Sequence, residues 1–202
     1  MSASAEDSTD ETLMIRYQRG DRSAFAVLVK RYERPLFTFA CRYLGQRDLA
    51  RDVTQESFLR VVRRAQEFRH EARFSTWIFA IVRNICIDEL RKSKHRRHLP
   101  LDERSDDRGA IAETIGSTQP AHDPERSAIG SRLEREIQDA LAALPDDQLE
   151  VFLLRELAGL PFSEIAEISE TSENTVKSRM RYALEKLQKA LLSYEEQAKA
   201  LR

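Results

Sequence analysis

Glycine and proline are scarce in this chain of 202 residues, which contains only six of each. Because β sandwiches and barrels need such residues at their many turns, this scarcity argues against an all-β fold and favours long helices. Hydrophobic residues make up 41% of the chain and charged residues 33%, a composition typical of soluble globular proteins. The length suits one ordinary domain or two small ones.

Cysteines and long apolar runs are also scarce. The two cysteines, Cys41 and Cys86, lie within apolar helical patterns, so we predict that they are reduced core residues of a cytoplasmic protein. No apolar run approaches the roughly 18 residues that span a bilayer, and we expect no membrane insertion. Residues 1–11 are polar and acidic, unlike a secretory signal, and are predicted to be disordered.

The signatures of common enzymes are missing. The sequence has no glycine-rich phosphate loop, no GxSxG elbow and no HExxH zinc pair. His95 and His98 have a spacing that could suit a metal, but no cysteine or carboxylate set completes a four-ligand site nearby. We therefore predict no catalytic residues, no metal and no cofactor.

The charges are unevenly distributed although the net charge is only −1. Residues 1–100 carry 20 Lys and Arg against 13 Asp and Glu, whereas residues 101–127 carry 3 against 7 and residues 128–202 carry 10 against 14. Electrostatic attraction to phosphates is screened over about 10 Å and acts patch by patch. Local basic patches therefore keep a nucleic-acid role open.

Helical periodicity predicts an all-α protein with two small helical domains joined by a flexible linker. Four apolar stripes predict a bundle over residues 12–98, with Pro35 dividing one helix from the next. Residues 99–127 are acidic and rich in proline, and we predict that they form the linker. Helices resume in a second domain, residues 128–192, and residues 193–202 are predicted to be a tail.

The C-terminal sequence FSEIAEISETSENTVKSRMRYALEKL predicts a helix-turn-helix. Val176, Met180, Leu184 and Leu187 form the expected buried stripe of its long helix. The opposite side would lie in a DNA major groove, where side chains can contact base edges and phosphates. The expected DNA-contacting residues are Lys177, Ser178, Arg179 and Arg181. A solvated basic face is the alternative for this surface.

The sequence RFSTWIFAIVRNICIDELRKSKHRR combines aromatic residues with six Lys and Arg against two acids over residues 83–97. Such a helix suits single-stranded DNA, because bases stack on rings while cations follow the backbone. The expected contacts are Phe74, Trp77, Arg83 and Arg91, although Trp77 could equally be a core residue. A third stretch, DVTQESFLRVVRR, leaves Asp52, Gln55, Glu56 and Leu59 exposed for a partner helix or for solvent.

With these stretches in this order, the chain resembles the RNA polymerase sigma factors of the extracytoplasmic-function (ECF) group in the sigma-70 family. The resemblance extends from about Glu11 to Leu192. It implies that residues 12–98 form a region 2 domain, which binds core polymerase and melts the −10 element. It implies that residues 128–192 form a region 4 domain, which reads the −35 element.

The resemblance also implies residue roles. Asp52, Gln55, Glu56 and Leu59 would dock on core polymerase, residues 66–74 would capture a flipped base, and Asn84 would help to read the −10 element. The group often pairs with an anti-sigma protein, so such a partner is expected. Three positions depart from the family: Glu170 and Thr171 occupy a turn where glycine and an apolar residue are frequent, and Tyr182 replaces a frequent basic residue.

A conventional helix-turn-helix regulator, binding duplex DNA as a dimer, is the alternative function. A regulator would have no use for a single-strand-binding aromatic and basic face in its other domain. The promoter sequence, the genes controlled and the inducing signal do not follow from the sequence.

Overall fold

The computed structural model describes residues 8–97 and 137–200, with side chains from 8 to 93 and from 137 to 192. Apart from one 3₁₀ turn, its regular elements in these ranges are α-helices, which confirms the predicted all-α class. The predicted linker, residues 99–127, lies outside the described residues. The helices are α1 (Asp10–Gln18), α2 (Arg22–Leu44), α3 (Arg47–Arg63), α4 (Phe74–Arg97), α5 (137–142), α6 (Asp146–Glu156), α7 (Phe162–Ile168) and α8 (Glu173–Ala200), and the 3₁₀ turn is Ala65–Glu67.

The N-terminal helices begin at capping side chains. Thr9 caps α1 by accepting a hydrogen bond from the Thr12 N–H at 3.3 Å. Asp21 caps α2 by accepting from the Ser23 and Ala24 N–H groups at 3.0 and 3.3 Å. Helix α1 thus starts at Asp10, inside the stretch that was predicted to be disordered, and the first module begins two residues earlier than expected.

Helix α2 continues through Pro35, so the prediction that Pro35 separates two helices is wrong. An interior proline removes one helical hydrogen bond and typically costs about 3 kcal/mol. Leu28 before it, and Leu36 and Phe39 after it, are all fully buried. Burial along both halves of one continuous helix outweighs the local penalty. The helix ends at Gly45, which adopts the left-handed conformation with φ 72°.

Helix α2 is the centre of the N-terminal module and contacts α1, α3 and α4. Its core contains a cluster of aromatic rings: Phe39 and Phe79 pack edge to face with centroids 5.7 Å apart. Cys41 and Cys86 are free and buried in the same core. Burial raises the pKa of both thiols, which favours the neutral form.

The C-terminal module packs α6 and α7 against α8. Val176, Met180 and Leu187 are buried as predicted, but Leu184 is 48% exposed and Ala183 is fully buried in its place. The buried positions 176, 180, 183 and 187 follow the alternating four- and three-residue spacing of one helix face, and Leu184 lies one residue beyond it. The backbone of α8 stays helical to Ala200, through most of the predicted tail.

The turn between α7 and α8 closes without a glycine. Glu170 adopts φ 50°, the left-handed region. The Thr171 N–H donates to the Ala166 carbonyl at 3.0 Å, and the Glu170 N–H donates to the Glu167 carbonyl at 3.3 Å. These two bonds form a Schellman cap. The unusual turn residues therefore give the usual geometry, at the cost of some backbone strain at Glu170.

The two modules contact each other, α2 against α6 and α4 against α7. This contact brings carboxylates of the C-terminal module onto the surface of α4. Among the described helices, none is both long enough and apolar enough to cross a membrane.

Candidate nucleic-acid interface

The N-terminal half of α8 presents polar and basic side chains on the surface. Ser172 caps the helix by accepting a hydrogen bond from the Thr175 N–H at 3.1 Å. Lys177, Ser178 and Arg181 are exposed on the side opposite the buried stripe. The guanidinium of Arg181 lies 5.0 Å from the centre of the Tyr182 ring. The structure therefore groups these three predicted DNA contacts on one open face.

Arg179 differs from its neighbours. Its Nε lies 3.0 Å from Asp147 Oδ2, and its side chain is 29% exposed. Lys177 also forms an ion pair, at 2.7 Å to Glu173, but that pair is exposed and lies within one helix. An exposed pair of this kind is weak and can exchange for a phosphate. Arg179 instead links α8 to the start of α6, which gives it a structural role that the sequence did not indicate.

The aromatic end of α4 is more buried than predicted. Phe74 is fully buried, and its ring packs against Tyr32 and Phe68 at centroid distances of 5.2 and 5.9 Å. The expectation that Phe74 stacks on a DNA base is therefore wrong: its ring has no exposed face. Trp77 is half-buried, with its ring 5.3 Å from that of Phe68. Of the two aromatic residues predicted to contact DNA, Trp77 is therefore the one that stays partly exposed.

The loop before α4 is anchored at both ends. The amide of Gln18 donates to the carbonyls of Ala65 and Phe68 at 2.8 and 2.9 Å. The carboxylate of Glu11 accepts from the Phe74 N–H at 3.1 Å, at the first residue of α4. Between these anchors Arg69 and His70 are exposed. Sequence reasoning missed Gln18 and Glu11, because their partners lie about 50 residues or more away along the chain.

The polar residues of α4 have separate environments. Asn84 and Arg91 are exposed, as a DNA contact requires. Arg83 is only 15% exposed, and its Nε lies 3.1 Å from Oε1 of Glu150 in α6. Its Nη1 donates to the Asn84 side-chain oxygen at 3.1 Å. Arg83 thus faces a carboxylate of the other module and is only partly accessible to solvent.

The predicted protein-binding surface lies on α3. Asp52 and Gln55 are exposed and Leu59 is 50% exposed, whereas Glu56 is half-buried and paired with Arg60 at 3.1 Å. Leu59 borders an apolar groove of about 410 Å³ between α2 and α3. The remaining apolar lining of this groove is Phe25, Val29, Phe58 and Val62. The sequence placed Phe25 and Val29 on an inward face and gave no sign that they border an open groove.

A basic groove of about 430 Å³ continues from the apolar groove, and the two share Glu33, Thr54 and Gln55. Its basic lining is Lys30, Arg34, Arg47 and Arg51. Within residues 8–97 and 137–200 no cluster of three or more His, Cys, Asp or Glu side chains is arranged to hold a metal ion.

Comparison with known families identifies both modules. The model of sigma-70 region 2 matches residues 28–96, and that of sigma-70 region 4 matches residues 134–187. The ECF RNA polymerase sigma-E factor of Haemophilus influenzae is 35% identical, over 91% of this chain and 96% of that protein. The chain belongs to the ECF sigma factors. Sigma factors direct RNA polymerase to promoters, so the regulator alternative is not favoured.

Other relatives of this sigma factor agree with the assignment. The RNA polymerase sigma-H factor of Pseudomonas aeruginosa is 31% identical, over 90% of this chain and 93% of that protein. The fold resembles that of the sigma factor RpoE of Bartonella quintana, solved with the anti-sigma factor NepR. That match has a TM-score of 0.66 and 22% identity, and covers 83% of this chain and 96% of the other. CnrH, solved with the cytosolic domain of CnrY, matches with a TM-score of 0.65 and 20% identity. That match covers 92% of this chain and 99% of CnrH.

Proposed function

We propose that this sigma factor docks on core RNA polymerase through the exposed surface of α3 and reads two promoter elements with separate helices. The N-terminal half of α8 reads the −35 element in the major groove through Lys177, Ser178 and Arg181. The surface of α4 contacts the opened −10 strand through Trp77, Asn84, Arg83 and Arg91. The protein would act in the cytoplasm and carry no catalytic group of its own.

The observation that carries this proposal is the open face of α8. A helix whose apolar stripe is buried and whose opposite face presents basic and hydroxyl groups suits the major groove. Arginine can donate two hydrogen bonds to the guanine edge, and serine can bond a base or a phosphate. Arg181 and Ser178 have this exposure, and no helix of the N-terminal module covers them.

The exposed surface of α3 supports the proposal that the protein binds core polymerase there. Leu59 and Val62 are 50% and 42% exposed beside the apolar groove. Apolar side chains grouped at a groove and bordered by polar residues such as Asp52 and Gln55 fit a helix of a protein partner. Because each module alone offers few DNA contacts, the polymerase would supply the effective concentration that brings both to one promoter.

An anti-sigma protein is a further proposed partner, because the similar sigma factor RpoE of Bartonella quintana was crystallised with the anti-sigma factor NepR. The apolar groove between α2 and α3 would then be a site for which the inhibitor and polymerase compete.

Transcription in vitro tests the function directly. Purified chain and core polymerase would be incubated with a library of promoter fragments, and transcripts would be sequenced. We expect the pair to initiate at a set of promoters that share −35 and −10 elements, with neither component active alone. A chain that binds palindromic duplex DNA as a dimer, without polymerase, would instead favour the regulator function.

A further inference from the structure

The loop before α4 begins at a side chain of helix α1. Gln18, the last residue of α1, donates from Nε2 to the carbonyls of Ala65 and Phe68 at 2.8 and 2.9 Å. In return, the Gln66 side chain donates to the Gln18 backbone carbonyl at 3.3 Å. A side-chain amide nitrogen carries two hydrogens, and Gln18 uses both on the backbone of one short segment. Gln18 therefore fixes the direction in which the loop leaves the core.

The other end of the loop is held by Glu11, near the start of α1. Its carboxylate accepts from the Phe74 N–H at 3.1 Å, at the first residue of α4. The first N–H groups of a helix have no partner within that helix, and a negative charge beside them is favourable. Glu11 thereby supplies from another helix the partner that a local cap residue would give, and it fixes the point at which α4 begins.

A single helix carries both anchors. Glu11 and Gln18 are seven residues apart, which is two helical turns or about 10 Å, so they lie on the same side of α1. Between them, Leu13 and Met14 are fully buried and attach α1 to the core of the module. The match to the region 2 model covers residues 28–96 and does not include α1. The distance between the two ends of the loop is therefore determined by a helix outside the matched segment.

The segment between the anchors has the properties of a binding loop. Residues 69–73 are all exposed, and the Ala72 N–H donates to the Arg69 carbonyl at 3.1 Å, so the loop contains a turn. Arg69 and His70 carry donors that suit a base edge or a phosphate. At the start of the loop, Phe68 packs against the partly exposed Trp77 at a centroid distance of 5.3 Å. A ligand that enters this loop would therefore meet both polar and aromatic groups.

We propose that Gln18 and Glu11 are positioning residues, which hold the 69–73 loop in the shape that accepts a flipped base of the −10 element. Neither side chain would contact DNA. Gln18 orients the start of the loop and the backbone of Phe68, and Glu11 fixes the end of the loop at α4. This inference rests on the proposed reading of the opened −10 strand by the N-terminal module.

The cost of flipping a base explains why the loop has to be held. Unstacking a base costs free energy, and a loop that became ordered at the same moment would add its own conformational entropy to that cost. A loop that is ordered before binding avoids this second cost. Loss of either anchor should therefore affect the one base that the loop reads, and not the phosphates and bases that α4 contacts.

Base preference at single positions tests this role. Holoenzyme assembled from core polymerase and the full chain would be titrated with single-stranded oligonucleotides that carry the non-template −10 strand of a promoter it transcribes. Each −10 position would carry each base in turn, and competition measured by fluorescence anisotropy would give the relative affinities. A variant with both Arg69→Ala and His70→Ala identifies the position that the loop reads, because base preference should fall there.

Gln18→Glu is the main variant, because it keeps the shape of the side chain but places an acceptor against two carbonyl oxygens. One correct base is typically worth a factor of about 5 to 150 in affinity, and we expect the preference at the loop's position to fall at least about fivefold. Preferences at the other −10 positions, and affinity for core polymerase, should stay unchanged. The added charge would weaken the binding of all bases at one position alike, so it leaves their ratio unchanged.

Gln46→Glu is the matched control. Gln46 is exposed in the same module and makes no side-chain capping bond to α3, and its substitution adds the same charge. This variant should keep every base preference of the unmodified protein.

Glu11 offers a second pair of variants. Glu11→Gln keeps an acceptor oxygen for the Phe74 N–H and should retain the base preference, whereas Glu11→Ala should reduce it at the position that the loop reads. A general loss of stability would not be confined to one base position. The pair also replaces Gln18→Glu if that variant melts below the temperature of the assay.

A uniform loss of affinity at every −10 position, or no difference between Gln18→Glu and Gln46→Glu, would overturn the positioning role. Equal base preferences for Glu11→Ala and Glu11→Gln would overturn it for Glu11. A double variant at Arg69 and His70 that keeps every preference would also overturn it, because the loop would then read no base. Transcription by the unmodified chain checks the proposed function separately: normal initiation, with unchanged preferences in Gln18→Glu, would reject the positioning role alone.

Discussion

Arg179 Nε lies 3.0 Å from Asp147 Oδ2 and thereby ties the DNA-facing helix α8 to α6. The two arginines of the predicted −35 surface therefore have different environments. Arg179 is engaged within the protein, whereas Arg181 two residues later is exposed. The two arginines should therefore respond differently to substitution.

Arg181→Ala should weaken binding to the −35 element by about 1–3 kcal/mol, roughly fivefold to 150-fold, because it removes a two-pronged donor to a base edge. The measurement is holoenzyme affinity for promoter fragments with intact or altered −35 elements. Arg179→Ala is the matched control and should mainly lower the melting temperature. If the preference among −35 sequences is unchanged after Arg181→Ala, the proposal that α8 reads the −35 element through Arg181 is wrong.

Leu59→Asp should lower affinity for core polymerase at least about tenfold, since a charge would be forced into an apolar contact. Leu59 is half-exposed, so the free energy of unfolding should change by no more than about 0.5 kcal/mol. Leu184→Asp is the control, because that leucine is equally exposed on the other module. Gel filtration of each variant with core polymerase measures the loss of affinity. Similar losses for the two variants would contradict an interface on α3.

Phe74→Ala should reduce the free energy of unfolding by about 3–5 kcal/mol, the usual cost of truncating a fully buried phenylalanine. Urea denaturation followed by circular dichroism measures this, and Phe74→Leu should retain much of the stability. A stable Phe74→Ala protein that fails only in promoter opening would restore the discarded DNA-stacking role.

The stability of α2 should depend on pH through Asp21. Hydrogen bonds from Ser23 and Arg16 lower the pKa of Asp21 from 3.8 to about 2. The stabilisation is therefore complete above the pKa of the unfolded chain, about 3.9, and is lost as the pH falls through 2. Asp21→Asn should lower the melting temperature at pH 6, and its difference from the unmodified protein should shrink towards pH 2. Asp88→Asn controls for the loss of one carboxylate at an exposed position and should leave the melting temperature at pH 6 nearly unchanged.

Glu170→Gly should raise the free energy of unfolding by up to about 1 kcal/mol, because glycine adopts the left-handed conformation of this turn without steric cost. Gly159→Ala tests the same effect in reverse. Gly159 has φ +65°, and an added Cβ there would meet no atom within 4 Å. Any decrease in the free energy of unfolding would therefore come from backbone strain alone. Chemical denaturation measures the free energy of unfolding of both variants. A destabilised Glu170→Gly protein would mean that the Glu170 side chain makes a contribution of its own.

The local chemistry of the chain was sufficient to determine much of this protein. Apolar spacing predicted the helices, Asp21 and Ser172 are cap residues at their beginnings, and Gly45 and Gly159 lie at the turns that end α2 and α6. These features depend on contacts within a few residues, which the sequence itself specifies. The order of the three motifs also gave the family, since it depends on residue identity alone.

Tertiary packing decided the rest. Whether Phe74 or Trp77 faces solvent depends on Tyr32 and Phe68, which come from other parts of the chain. Pro35 lies inside α2 because burial on both sides outweighs its local penalty. The pairing of Arg83 with Glu150 joins residues 67 positions apart and belonging to different modules. Periodicity assigns a side chain to a face of its helix, but only the neighbouring elements determine what covers that face.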